Sequence, residues 1–275
     1  KCLKLSRGKT EGLKAMNDVQ KEVLFRPIVR PTFHFRCHKH IPCFTKCCAD
    51  LDLVLTPYDI LRIKNCLNIL SDEFLDRYTE TKLDTHNRFP MIKLKMNNDE
   101  NRKCPFVTQK GCTIYEDRPG ACRIYPLGRA ALKLDREKDT REKFFIVDEE
   151  HCLGFGEERE WSIEEWMANE GVDEYNAMND QWLEIITSTR SLGPEEDVPR
   201  KIEMFYIASY NLDKFRGLIF GSRFFDLFQV KAEKREALAS DDVELMKFAF
   251  DWLKFSLFGD KTIQIKSDST THEIY

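Results

Sequence analysis

No apolar run in these 275 residues reaches the roughly 18 needed to cross a bilayer, so no membrane span is expected. Charge of one sign is not in excess either: 43 Lys and Arg stand against 47 Asp and Glu, for a formal net charge of -4 and a sequence pI near 6.0. Nothing here is basic enough to follow a phosphate backbone, and no nucleic-acid partner is expected. The opening Lys1-Cys2-Leu3-Lys4 lacks the apolar stretch of a signal peptide, and the cysteine usage of the chain is that expected of a reducing cytoplasm. A repeat of helical-array length is also missing. With 42% hydrophobic and 33% charged residues, the chain can bury a core of its own as one large domain or two small ones.

Cysteine is what the chain has in plenty: ten residues, seven of them between Cys37 and Cys112. Disulfide frameworks mainly rescue domains too small to bury a core, so in a chain of this length free thiols in a reducing compartment are expected instead. Cys47 and Cys48 are adjacent, within the cluster Cys37-x5-Cys43-x3-Cys47-Cys48. Neighbours in sequence cannot easily be joined to each other without strain, so the two thiols need other partners, and a shared metal or two neighbouring centres would supply them. Soft thiolates select zinc or iron–sulfur clusters over magnesium or calcium. Four more cysteines follow in loops rich in Pro, Gly and Arg: Cys104-Pro105-Phe106, Gly111-Cys112-Thr113-Ile114-Tyr115, Arg118-Pro119-Gly120-Ala121-Cys122-Arg123-Ile124-Tyr125-Pro126 and His151-Cys152. The expected ligands are therefore Cys37, Cys43, Cys47, Cys48, Cys104, Cys112, Cys122 and Cys152. One zinc or one 4Fe-4S cluster takes four thiolates, so either four are spare or there are two centres. The scarcity of obvious His partners favours iron–sulfur over zinc.

The doublet, the Cys-Pro-Phe, the Gly-Cys-x-Ile-Tyr and the Arg-Pro-x-x-Cys-Arg-x-Tyr-Pro together resemble the YkgJ-type cysteine cluster family, described as zinc- or iron-chelating, over roughly residues 35–126. That family opens with C-x2-C-x2-CC; the longer first gap here leaves His38 and His40 as alternatives to Cys37. The pattern is also similar to that of the flagellin lysine N-methylases, a resemblance that implies an iron–sulfur centre and S-adenosylmethionine, although no methyl-donor motif is recognisable.

Along the chain, residues 1–32 read as a lead-in with a short helix over 18–25, residues 33–155 as the metal-binding region, 156–259 as a helical region and 260–275 as a flexible tail. The expected fold is α+β, mainly α-helical. Thr56-Pro57-Tyr58-Asp59 opens a helix with Ile60, Ile63, Leu67 and Leu70 on its buried face, and Ser71 caps a second carrying Phe74, Leu75 and Tyr78. Residues 91–96 and 143–147 read as strands. Ser162-Ile163-Glu164-Glu165 is a capping box, and further helices are expected over 173–190, 200–212, 222–238 and 241–258. Cys66 is expected to be a buried core thiol, and Cys2, His34, His86 and His272 uninvolved surface or loop residues. His38, His40 and His151 read as supports of the metal shell, and Arg118 and Arg123 as salt-bridge anchors of the cysteine loop or as contacts for an anionic substrate.

Two functions are carried forward. One is a metal-binding protein, with one or two thiolate centres for electron transfer, metal handling or scaffolding, and with a protein partner. The other is a cluster-dependent group-transfer enzyme such as an S-adenosylmethionine-using protein lysine methylase acting on a protein substrate.

Overall fold

A computed structural model describes residues 24–82, 88–132 and 141–266. The helix expected over 18–25 meets a strand at its C-terminal end, β1 (Leu24–Pro27), while residues 18–23, Cys2, His86 and His272 lie outside the described residues. Phe25 meets Phe145 of a later strand edge-on at 5.1 Å, and such a cross-strand pair outweighs one isolated helical turn. β2 (Thr32–His34) follows, and then a 3-10 turn, Lys46–Cys48, that carries the doublet.

After β3 (Val54–Leu55) comes α1 (Pro57–Leu67), opened by a full capping box. Asp59 N–H donates to the Thr56 hydroxyl at 3.2 Å, and Thr56 N–H donates to the Asp59 carboxylate at 2.8 Å. Asn68, in the left-handed region at φ 53, ends the helix. Leu70, expected on its buried face, therefore lies past its end and is 58% exposed. It serves as the N-cap of α2 (Ser71–Tyr78) in place of Ser71, whose hydroxyl instead donates to Asp213 at 2.7 Å. β4 (Thr79–Lys82) and β5 (Met91–Leu94) join β3 in a sheet of order β3-β5-β4, and β6 (Val107–Thr108) and β7 (Gly111–Cys112) form a small hairpin. α3 (Gly120–Ile124) leads into β8 (Leu127–Leu132) and β9 (Arg141–Asp148), in a sheet of order β1-β9-β8.

β10 (Glu160–Ser162) pairs with β2, and the Ser162 box opens α4 (Ile163–Glu170) with both reciprocal bonds made. α5 (Asp173–Ile186) stops short of the expected residue 190, where Ser188 N–H turns to the Ile185 carbonyl at 3.4 Å in a tighter last turn. α6 (Val198–Tyr210) is followed by α7 (Leu212–Gly221), which the sequence reading did not foresee, and the helix expected over 222–238 is two, α8 (Phe224–Leu227) and α9 (Ala232–Ser240). The break falls where Phe228 bridges Ile265. α10 (Asp242–Phe258) is capped by Asp241. The segment after Asp260, expected to be loose, is tied down as far as Lys266, with Ile263 buried. The fold is α+β and mainly helical, and among the described residues no helix is long and apolar enough to cross a membrane.

Two cores organise these elements. The larger unites α1, α2 and the β3-β5-β4 sheet with α5–α10, so that Tyr58, Ile63 and Phe74 share an interior with Trp182, Phe205 and Phe250. It runs across the boundary expected at residue 155. The smaller gathers Phe33, Phe35, Ile124, Leu127, Ile146, Trp166 and Val172.

Beside the larger core lies a charge lattice. Lys64, only 5% exposed, holds Asp213 at 3.2 Å and Asp242 at 3.0 Å; Arg216 also bonds both carboxylates, and Asn65 donates to Asp242. Burial pushes the Asp242 carboxyl up, but the bonds from Arg216, Lys64 and Asn65 win and hold it down at about 2, against an ordinary 3.8. A folded value below the unfolded one means that the stabilisation is complete above the unfolded value and is lost as pH falls toward the folded value. Urea midpoints should therefore drop between pH 3.8 and about 2, and Asp242→Asn should lower stability at neutral pH and flatten that part of the profile. An unchanged acid limb in the variant would show that the lattice does not carry it.

Candidate metal centre

The doublet is delivered by an unusual stretch of backbone. Thr45 (φ 67) before it and Asp50 (φ 53) after it are both left-handed, a conformation that costs a non-glycine residue about 1–2 kcal/mol. Cys48 N–H donates to Thr45 O at 3.0 Å, Cys104 N–H to Cys48 O at 2.8 Å, and Asp50 N–H to Arg102 O at 2.9 Å, so the segments around Cys48 and Cys104 lie strand to strand. The β6–β7 hairpin then sets Val107 opposite Cys112, close after Cys104.

Cys37 and Cys43 come together with Cys152 from the other side. Arg36 N–H donates to Gly154 O at 3.1 Å, and Leu153 N–H donates to Cys43 Sγ at 3.3 Å. Gly154 is required there: a Cβ would sit 2.6 Å from the Phe35 ring and 3.1 Å from Arg36 O.

Cys122 rides on α3, which is fixed by the buried Asp59. One carboxylate oxygen takes the Thr56 N–H and the other takes the Gly120 N–H at 2.8 Å, so a single side chain caps α1 and anchors α3. Burial pushes the Asp59 carboxyl up, against these bonds and the nearby Arg123. The sequence reading gave Asp59 only its part in α1. Asp59→Ala strands two buried N–H groups and should cost about 2–4 kcal/mol, with Asp59→Asn costing less. Chemical denaturation of the two variants measures this, and equal stability in both would deny the second anchor.

All eight expected cysteines line one cavity of about 1970 Å³, and the nine described cysteines are free. Among the described residues no three His, Cys, Asp or Glu side chains already stand at metal-ligand spacing, so the thiols share a cavity without having closed on a point. Their mutual influence is visible in their protonation. The Cys37 thiol is pushed up to about 11, first by burial and then by Cys47, Cys43 and Cys152, although the residue as a whole is exposed at the rim. The hydrogen bond with Cys48 raises the Cys47 thiol most, ahead of burial and the charges of Cys48 and Glu149. Burial raises Cys122, followed by Cys104, Asp59, Cys112 and Cys47. A metal must displace a proton from each thiol that it takes.

The polar side chains of Arg123, Tyr125, Glu149, His151, Tyr175 and Asn179 line the same cavity. Glu149 and His151 face each other at 3.5 Å. His38 turns to Glu157 at 3.3 Å, and neither His38 nor His40 lines the cavity. Arg118 binds Glu170 and the Tyr115 carbonyl, while Arg123 binds the carbonyls of Glu170 and Glu116, so both arginines anchor the Cys122 loop. Cys66, expected in the core, is exposed: it falls on the face of α1 opposite Ile60 and Lys64 and lies outside the cavity.

No curated protein and no solved structure matches the chain. Residues 36–153 match the family model CxxCxxCC, described as "Putative zinc- or iron-chelating domain". The matched stretch takes in all eight expected cysteines. Residues 36–153 are thus similar to the zinc- or iron-chelating domains that this family model describes.

Proposed function

We propose that this is a metal-binding protein whose thiolate-ligated centre, iron–sulfur of the 4Fe-4S type rather than zinc, joins the segment of Cys37, Cys43, Cys47 and Cys48 to that of Cys104, Cys112, Cys122 and Cys152. The observation that carries the reading is the convergence of eight free thiols from distant parts of the chain on one cavity. The donor set fits the group: eight soft sulfurs line the cavity, His38 and His40 of the first segment do not, and Arg118 and Arg123 stand beside the Cys122 loop to offset negative charge. A zinc bound there would cross-link the two segments; a cluster would also carry an electron. Electron transfer, metal handling and scaffolding are the roles open to such a centre, and free thiols suit a reducing, cytoplasmic setting. Metal and acid-labile sulfide analysis of anaerobically purified protein tests the reading. Bound iron with matching sulfide supports it, zinc without sulfide changes the metal, and metal-free protein overturns it.

One observation favours a second reading. The cavity exceeds the roughly 300–1,000 Å³ of an ordinary ligand pocket and is lined by Arg118, Arg123 and Tyr125 as well as by thiols. That would suit a group-transfer enzyme, such as a protein lysine methylase using S-adenosylmethionine. Calorimetric titration of the holo-protein with S-adenosylmethionine discriminates: saturable binding favours the enzyme, and no heat of binding favours the first reading.

A further inference from the structure

We propose that the eight cysteines form two four-thiolate centres and that the doublet is divided between them, Cys37, Cys43, Cys47 and Cys152 holding one and Cys48, Cys104, Cys112 and Cys122 the other. This rests on the reading of the domain as a metal binder. Each zinc or 4Fe-4S cluster takes four thiolates, so this division leaves none of the eight unused.

The backbone makes the division. On one side, the Arg36–Gly154 bond and the bond from Leu153 N–H to Cys43 Sγ lock Cys37 and Cys43 onto the Cys152 loop. On the other, the bond from Cys104 N–H to Cys48 O and the Ala49–Lys103 bridge lock Cys48 onto Cys104, and the hairpin adds Cys112.

The cores agree with it. Cys104 and Cys112 pack against the larger core, whereas Cys152 packs against the smaller. Gly120, two residues before Cys122, is held by Asp59 of α1, a helix of the larger core, which groups Cys122 with Cys48, Cys104 and Cys112 and leaves Cys47 to complete the first set. Cys47 and Cys48 are neighbours in the chain, so in this division the doublet is where the two centres meet. Adjacent residues carrying ligands for different metals also answer the problem posed by the doublet itself, since neither thiol can easily pair with the other.

Anaerobically purified holo-protein and its variants give the test by metal and sulfide content per chain. Wild type should carry two zinc ions or two clusters. Cys43→Ser and Cys104→Ser should each lose half. The pair Cys37→Ser/Cys43→Ser, within one centre, should lose no more than Cys43→Ser alone, whereas Cys43→Ser/Cys104→Ser should lose everything. One centre per chain in wild type, or complete loss from a pair within one set, overturns the division while leaving the metal-binding reading intact; a metal-free wild type removes both. If a variant fails to fold, cobalt(II) titration of stripped wild type decides, because two equivalents with tetrahedral thiolate spectra are expected and saturation at one equivalent refutes the second centre.

Discussion

Chelating the metal from the holo-protein is expected to strip hydrogen-exchange protection from the layer built on β1, β2, α3, β8–β10 and α4, and to leave α5, α6 and α10 protected. Structural zinc contributes about 10–16 kcal/mol in zinc-finger peptides, as much as the roughly 5–15 kcal/mol net stability of a whole domain. The smaller core has seven buried hydrophobic residues, and the cysteine contact beside it, Cys43 with the Cys152 loop, closes a long stretch of chain. Without metal such a layer has little to hold it. The larger core has α1 packed on α5 and α6 and α2 packed on α7, so protection in α1 and α2 should survive even though the sequence reading assigned them to the metal half. Mass-resolved exchange on holo and stripped protein reads this directly. Equal protection of residues 33–48 and 120–170 in both forms would mean that the fold is complete without its metal.

Replacing Lys64 by methionine should cost about 3 kcal/mol, the lower end of what breaking a buried ion pair costs. The stem of the side chain is conserved in volume, so packing changes little, but Asp213 and Asp242 lose the cation 3.2 and 3.0 Å away. Arg216 still bonds both, which keeps the loss from being larger. A fall in the urea midpoint without a change in slope is the expected signature, partly recovered in Lys64→Met/Asp242→Asn because one stranded charge is gone. Full stability in Lys64→Met would make the lattice energetically idle.

Local chemistry was legible from the residues, and distant pairing was not. Thr56-Pro57-Tyr58-Asp59 and Ser162-Ile163-Glu164-Glu165 named their helix starts because each cap is complete within four residues. The eight cavity cysteines could be picked out because thiols, Pro and Gly at short spacing have few other uses. Leu70 and Cys66 were misread for related reasons. Asn68 ends α1 before Leu70, and the buried side of α1 is centred on Ile60 and Lys64, which turns Cys66 outward. The signal for the first was present, since Asn is a natural left-handed terminator. Ser71 and Asp59 could not be read fully, because their partners, Asp213 and Gly120, lie far along the chain. The same holds for β1 and β2, short strands whose existence depends on β9 and β10. α7 begins at Asn211, which caps it without any Pro or Gly to announce the break.

The position of the cysteines on the seam between two unequal cores turns the domain into a spacing gauge. Sulfurs anchored to the larger core keep their mutual distances when the smaller core shifts, whereas those on the Phe35–Gly154 contact move with it, since that contact has no slack to absorb a displacement. Heat, pressure or a bound partner that changes the separation of the cores should therefore alter the distances between the two groups of thiols more than those within either.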